Sequence, residues 1–337
     1  MNFSRTLLSL FVSVAAVLPA SAAPVTIKFA TLAPEGSAWM KVMTAFADEV
    51  KQKTAGRVKF RIYPGGVQGD EKDVVRKIRI GQLQAGGFTG VGIGEIAPAA
   101  RVLDTPFLFK SAPEIDHVYG SLDADFRKMF DEAGYVLLGW AEVGDVIILS
   151  NSPVKRPEDL KAVKMWIWEG DPIAEASFAA LGVKPIPLSI TDVMTSLQTG
   201  MIDGIYGSPL AVLALQWHTR MKYALSLPMA NASGAVLLSR KAFDSLSKED
   251  QAALLAAGDR HFRELTRVSR ADNAKSIGLL KKAGITFTVP DGRAIAAEFE
   301  KTGKTAREAL TGKLYSGELL ERIEKTLADF RRPGKAE

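Results

Sequence analysis

The sequence contains no cysteine among its 337 residues, which excludes a disulfide framework and a thiolate metal site. Its three histidines, His117, His218 and His261, lie far apart, without the short spacing that a zinc site needs. Charge of neither sign dominates, because 43 basic and 38 acidic residues give a net charge of only +5. A nucleic-acid-binding protein concentrates positive charge in one patch, so we do not expect nucleic acid as a partner. No metal and no other cofactor is predicted.

Motifs for nucleotide binding and for common hydrolytic chemistry are also missing. The segment from Gly86 to Gly94 is rich in glycine, but Glu95 stands where a G-x-G-x-x-G pattern starting at Gly90 needs its third glycine. No G-x-x-x-x-G-K-[ST], G-x-S-x-G or H-E-x-x-H pattern occurs. The sequence therefore gives no support to a nucleotide-binding enzyme, although an exported enzyme of another kind stays open as an alternative.

The first 22 residues match a secretory signal peptide. Arg5 provides a positive charge, Leu7 to Leu18 an apolar stretch, and Ala20-Ser21-Ala22 an A-x-A cleavage site. A membrane-spanning helix needs about 20 apolar residues, so this shorter stretch favours cleavage over an uncleaved membrane anchor. The pattern predicts a mature protein that is exported through the inner membrane into the periplasm.

The mature chain opens with alternating strands and helices, which is typical of a sheet with helical connections. Two later apolar segments, 135–151 and 223–239, are each longer than an ordinary strand. Segments of that length can run through two domains, an arrangement typical of lobes that close around a ligand by hinge bending. From Ser247 to Gly284 the pattern predicts one helix of about thirty residues or more, which can bend near Gly258.

Two motifs carry a more specific signal. The segment 186–209, IPLSITDVMTSLQTGMIDGIYGSP, combines a helix cap, an amphipathic helix and a strand, and PEDLKAVK precedes it at 157–164. Together they resemble the periplasmic solute-binding proteins of tripartite ATP-independent periplasmic (TRAP) transporters, whose pattern is roughly PxDLKGLKxR followed by LGAxPxPMxxSEVYxALQTGxVDG. Further matches, such as FADEVKQKTAGRVKFRIYPGG and SRKAFDSLSKEDQAAL, extend the resemblance over nearly the whole mature chain.

The resemblance implies an α/β fold of the two-lobed periplasmic-binding-protein kind (type II-like), with crossing hinge strands and a long helix across both lobes. We assign 23–147 and 236–265 to the first lobe, 148–235 and 266–330 to the second, and 331–337 to a frayed tail. The resemblance also implies a binding protein rather than an enzyme. Such a protein captures a small organic solute, often a carboxylate, and passes it to the small and large subunits of a membrane permease. A monomer is the simplest expectation.

The resemblance also locates a ligand site, but the usual arginines are absent from it. The family usually clamps the ligand carboxylate with an arginine on the strand after PEDLKGLK, since a guanidinium matches two carboxylate oxygens. Trp166 occupies that position, and a second usual arginine position falls on Val146. The other positions that the resemblance places at the cleft are Phe88, Thr89 and Ser208, and Tyr206 is a further candidate.

The pattern of residues leaves several assignments open. Trp168 shares a strand face with Trp166, and both can equally be core residues, as can Tyr206. Asp145 and the nearby Glu142 would add negative charge to the cleft, or simply lie at a solvated strand end. We expect an organic acid whose apolar or aromatic body stacks on Trp166, and not a typical C4-dicarboxylate. The alternatives are a dicarboxylate binder with a relocated basic group, and the binding protein of an ATP-driven importer or a sensor.

Overall fold

The computed structural model describes residues 24–332. The predicted signal peptide, 1–22, and residues 333–337 of the predicted tail lie outside the described residues. Within 24–332, no helix combines the length and the apolar composition that crossing a membrane requires.

The described strands and helices alternate through most of the chain. The strands are β1 (Val25–Thr31), β2 (Val58–Tyr63), β3 (Ala85–Thr89), β4 (Tyr135–Trp140), β5 (Gly144–Ser150), β6 (Trp166–Trp168), β7 (Ile186–Leu188), β8 (Gly204–Gly207), β9 (Tyr223–Leu225), β10 (Ala230–Ala232), β11 (Gly234–Ser239) and β12 (Thr286–Thr288). The α-helices are α1 (Ala38–Lys53), α2 (Glu71–Arg79), α3 (Gly90–Ile96), α4 (Ala112–Ser121), α5 (Asp123–Glu132), α6 (Pro172–Ala180), α7 (Val193–Thr199), α8 (Pro209–Ala214), α9 (Arg240–Asp244), α10 (Lys248–Lys282), α11 (Arg293–Leu310) and α12 (Gly317–Phe330). Short 3-10 helices include Pro98–Asp104.

The strands form two five-stranded mixed sheets, and each sheet is the centre of one lobe. Lobe I contains the sheet β2-β1-β3-β11-β4, in which β1, β2 and β3 are parallel and β11 is antiparallel to its neighbours. Lobe II contains the sheet β10-β5-β9-β12, with β8 also paired to β5, and the separate parallel pair β6 and β7. Helices pack on these sheets, so the predicted two-lobed α/β fold is confirmed.

Two segments connect the lobes. The first runs from β4 into β5, and the second runs from β9 and β10 into β11. They lie side by side, because the N–H of Ala141 donates to the carbonyl of Gly234 at 2.7 Å and that of Val143 donates to Ala232 at 3.0 Å. A Cβ atom on Gly234 would lie 1.9 Å from the carbonyl oxygen of Ala141, so only glycine allows this approach. Both predicted connections between the lobes are therefore present, although each consists of several short strands rather than one long strand.

The predicted long helix is α10, which has 35 residues. The hydroxyl of Ser247 accepts the N–H of Asp250 and caps its first turn. The helix packs on α1 and β4 of lobe I and on α8 and β5 of lobe II, so it extends across both lobes as expected.

The C-terminal helices separate between the lobes. Helix α11 packs on α6 of lobe II, but α12 packs on α4 and buries its apolar face in the core of lobe I. Our assignment of 266–330 to lobe II therefore needs correction for α12. Arg331, which we assigned to a frayed tail, is held in place, because its guanidinium donates to Glu114 at 2.7 Å. The apolar face of a helix can be read from its sequence, whereas the surface that covers it depends on tertiary structure.

Candidate functional site

Two adjoining cavities lie between the lobes. The first cavity measures about 180 Å³ and takes its wall from both lobes, including the 3-10 helix Pro98–Asp104, the β5 and β10 strands, and the strand β6. The second cavity measures about 160 Å³ and is bounded by the loop after β1, the strand β3 and the helix α8. Residues such as Thr89 and Ser208 border both cavities, so they belong to one cleft.

Three aromatic side chains form one wall of the first cavity. The ring of Trp166 stacks on Tyr206, with centroids 5.0 Å apart and planes at 20°, and meets Trp217 edge-on at 5.4 Å. Trp166 is only 1% exposed, and its Nε1 donates to the carbonyl of Leu188 at 3.0 Å. Because that polar atom is already satisfied inside lobe II and the ring is almost fully buried, Trp166 forms part of the packed apolar wall of the cavity.

A buried charged group made of Arg101, Asp104 and Asp171 lines the same cavity. Nε of Arg101 donates to Asp104 at 2.8 Å within lobe I, and Nη2 donates to Asp171 of lobe II at 2.9 Å. Burial opposes the charge on Arg101, but Asp171 and Asp104 outweigh that effect and hold its pKa above the ordinary value. Burial raises the pKa of Asp104 despite the nearby guanidinium. Among described residues, these three are the charged groups that line the first cavity.

A second polar link between the lobes centres on Asp70, at the start of α2. Its carboxylate accepts Nε1 of Trp168 at 3.0 Å, the hydroxyl of Ser189 at 2.6 Å and the N–H of Ile190 at 3.2 Å. All three donors belong to lobe II. The Nζ of Lys72 also donates to a lobe II carbonyl, that of Glu169. The start of α2 therefore holds the two lobes together along one side of the cleft.

The next residue, Glu71, is buried beside the second cavity. Its carboxyl accepts the N–H of Thr89 at 2.7 Å, the hydroxyl of Thr89 at 3.1 Å and the N–H of Gly92 at 2.7 Å. Burial raises the pKa of Glu71 to about 7, although these donors favour its charged form. This carboxyl therefore changes protonation near neutral pH.

The cleft gathers most of the residues that the resemblance singled out. The residues that line the first cavity are Thr89, Val146, Trp166, Trp168, Tyr206 and Ser208. Phe88 borders the second cavity alone, and Asp145 is exposed and borders neither. The hydroxyl of Ser208 accepts the N–H of Ala211 and caps α8. Their contacts with a solute remain predictions.

Sequence reasoning missed most other residues of the first cavity, among them Arg101, Asp104, Asp171, Trp217 and Asn231. The pair Arg101 and Asp104, three residues apart in the apolar stretch IAPAARVLDTPF, was a usable signal, because buried charges need partners. Asp171 precedes Pro172 in a typical helix-capping pattern. This pattern indicates a helix cap but does not predict the ion pair that Asp171 forms with Arg101. No local pattern distinguishes Asn231. The structure thus supplies a cleft arginine, on a different element from the usual one.

Comparison with known proteins decides the family. The family model described as bacterial extracellular solute-binding protein, family 7 (DctP), matches residues 29–310. The chain belongs to this family. A solute-binding protein of Verminephrobacter eiseniae is 32% identical over 282 residues, which cover 79% of this chain and 82% of that protein. The 2,3-diketo-L-gulonate-binding periplasmic protein of Escherichia coli is 26% identical, over 71% of this chain and 74% of its own.

A solved structure supports the same family. The TRAP periplasmic solute-binding protein of Roseobacter denitrificans, with bound L-galactonate, is 25% identical and superposes with a TM-score of 0.81 over 91% of this chain and 99% of its own. The predicted membership among TRAP solute-binding proteins is therefore confirmed. These relatives are binding proteins rather than enzymes, and they do not favour the importer or sensor alternatives.

Proposed function

We propose that this solute-binding protein captures a small organic acid with one carboxylate and an apolar or aromatic body. It works as a binding protein without enzymatic activity, in the bacterial periplasm after removal of its signal peptide. It then delivers the solute to the small and large subunits of a TRAP permease. The related proteins whose names specify a sugar acid, 2,3-diketo-L-gulonate or L-galactonate, support the organic-acid class.

The observation that carries the solute class is an aromatic wall in the same cavity as a compensated guanidinium. Trp166, Tyr206 and Trp217 line the first cavity, and an aromatic wall of this kind favours an apolar body. Arg101 is the cavity's cationic side chain within the described chain, and it already faces two aspartates. A dicarboxylate would bring two further negative charges into this low-dielectric site, where repulsion between like charges is strong. One carboxylate is therefore better accommodated than two.

Closure of the lobes follows from differential affinity. A solute that contacts Trp166 on lobe II and Arg101 on lobe I gains both contacts only when the lobes are together. Because a ligand shifts an equilibrium only by as much as it prefers one state, such a solute favours the closed form. The closed form then has a shape that a permease can distinguish from that of the empty protein.

Calorimetric titration of the purified protein tests this proposal. We expect monocarboxylates with a cyclic or aromatic body, such as phenylacetate and mandelate, to bind more tightly than succinate and malate. Trp166→Ala should weaken that binding by about tenfold to a hundredfold, since it removes the stacking surface, and Trp166→Phe should retain most of it. Tight succinate binding that survives Trp166→Ala would contradict the proposal.

A dicarboxylate binder remains the second candidate, because Arg101 does line the first cavity. In that case Arg101 would exchange an aspartate for a substrate carboxylate. Succinate would then bind the parent protein tightly and lose that affinity in Arg101→Lys, which keeps the charge but removes the planar donor pair. The two candidates therefore give opposite rankings of succinate and phenylacetate.

A further inference from the structure

The second cavity of the cleft is largely apolar and has room for part of a solute. It is lined by apolar residues such as Leu32, Trp39 and Phe88. Its volume is about 160 Å³, and an apolar cavity of about 150 Å³ accommodates a benzene molecule. The first cavity, at about 180 Å³, already has room for a body of that size. The cleft as a whole therefore contains space that an acid as small as phenylacetate leaves unfilled.

The two cavities share a boundary to which both lobes contribute. The residues that border both cavities are Thr89, Val143, Ile190, Ser208, Ala211 and Leu215. Ala211 and Leu215 lie four positions apart at α8, so they share one helical face. Ala214 lies on that same face, three positions after Ala211, and borders the second cavity alone. A solute held in the first cavity can therefore extend past this face of α8 into the second.

The charged residues of the cleft favour one orientation of such a solute. Arg101 borders the first cavity. The second cavity is bordered by Glu71 and Glu142, and within residues 24–332 no lysine, arginine or histidine borders it. Arg270 pairs with Glu142 at 2.6 Å but is not part of the lining, and it is also paired with Asp116. A buried charge without a partner is costly, so the carboxylate of a solute is better placed near Arg101 and its uncharged end in the second cavity.

We propose that this protein binds an elongated monocarboxylate, whose carboxylate lies near Arg101 in the first cavity and whose apolar far end fills the second cavity. This inference rests on the proposed function and adds length and orientation to its solute class. The second cavity takes its lining from both lobes, with Trp39 and Phe88 from lobe I and Leu210 and Leu215 from lobe II. An apolar end placed there gains contacts with both lobes, so it also favours the closed form.

Calorimetric titration of the purified protein with phenylacetate, 4-phenylbutyrate and 6-phenylhexanoate tests the inference. Each methylene group that becomes buried should increase the affinity by about threefold to fourfold. We therefore expect at least one of the two longer acids to bind about tenfold or more tightly than phenylacetate. The same acid with a carboxyl group at the para position of its ring should lose that advantage, because a second carboxylate would enter a cavity without a cationic side chain.

Substitutions at Ala214 test whether the second cavity is responsible. Ala214→Phe fills this cavity from α8, so it should remove the advantage of the longer acids and leave the affinity for phenylacetate unchanged. Ala214→Leu adds a smaller side chain and should remove part of the advantage, and it provides a second variant if the phenylalanine variant folds poorly. The matched control is Ala256→Phe on α10. Ala256 is exposed and borders neither cavity, so this variant should retain the full advantage.

The outcomes separate this inference from the proposed function. No advantage for either longer acid, or an advantage that both Ala214 variants retain, overturns the inference and leaves the proposed function standing. A loss of affinity in these variants that is equal for all three acids also overturns it, because the second cavity would then not distinguish acids by length. Equal affinity for the longer acid and its para-carboxyl analogue overturns the orientation, and the inference with it. If none of the three acids binds, the proposed function fails, and the inference fails with it.

Discussion

At the scale of single residues, Glu71 shows how one buried carboxyl makes stability depend on pH. Its pKa is about 7 in the folded protein because of burial, against an ordinary value of 4.5. Below pH 4.5 the carboxyl is protonated in both states. Between pH 4.5 and 7 the unfolded chain releases the proton while the folded chain keeps it, so stability falls as pH rises through this window.

We therefore predict that Glu71→Gln flattens the decline in the free energy of unfolding between pH 5 and pH 8. The part of the decline that Glu71 causes can reach about 3 kcal/mol. Urea unfolding at several pH values measures it. The amide can destabilise the protein at every pH, because it offers fewer acceptors to Thr89 and Gly92, so the slope is the informative quantity. Glu35→Gln, at an exposed loop position, should leave the slope unchanged. An equal slope in parent and Glu71→Gln would contradict the prediction.

Single residues of the cleft could be predicted only where a motif fixes their register. Trp166 follows PEDLKAVK, so the family pattern located it beside the cavity without any knowledge of packing. Arg101 and Asp171 meet from segments seventy residues apart, and Asn231 joins them from a third. No local pattern in the sequence predicts a contact between residues so far apart in the chain. The sequence indicated which usual arginines were missing, and only the structure could show that Arg101 lines the cavity.

At the scale of elements, the long helix α10 and the strand β4 approach so closely that a side chain would not fit between them. A Cβ atom on Gly258 would lie 2.5 Å from the carbonyl oxygen of Leu138. The sequence suggested Gly258 as the place for a bend, because glycine weakens a helix. The structure gives it a different role, which is to allow close packing of α10 on the sheet of lobe I.

We predict that Gly258→Ala destabilises the protein by about 1 to 3 kcal/mol, because backbone must move away from the new methyl group. The control lies in the same helix. Gly278 is exposed and has nothing within 4 Å of its Cβ position, so Gly278→Ala should stabilise by up to about 1 kcal/mol through helix propensity. Urea unfolding of the two variants should therefore give changes of opposite sign. Two changes of the same sign and size would contradict the packing argument.

Elements whose partners are local could be predicted better than elements whose partners are distant. The caps of α1 and α10 at Ser37 and Ser247 and the left-handed Gly200 after α7 follow from residue type alone. Helix α12 has an equally clear apolar face, yet that face does not reveal whether lobe I or lobe II covers it. The assignment of α12 failed at this step.

At the scale of the whole molecule, some of the contacts that join the lobes are single polar interactions, which can be changed one at a time. Asp70 of lobe I accepts Nε1 of Trp168 from lobe II at 3.0 Å, while the ring of Trp168 borders the first cavity. The N–H of this indole is therefore engaged by the opposite lobe and is not available to a solute. We therefore expect Trp168 to act on binding through the balance between open and closed forms.

We predict that Trp168→Phe, which keeps an aromatic ring but loses the N–H, shifts this balance towards the open form. A hydrogen bond to a charged group contributes on the order of 1.5 to 3 kcal/mol, so solute affinity should fall by about tenfold or more. Small-angle scattering with and without a bound monocarboxylate measures the accompanying increase in radius of gyration of the empty protein. Ser177→Ala is the control, because its hydroxyl donates to the carbonyl of Ile173 within lobe II. Weaker binding with unchanged scattering would mean that Trp168 contacts the solute directly, and unchanged affinity would mean that its link to Asp70 has no part in closure.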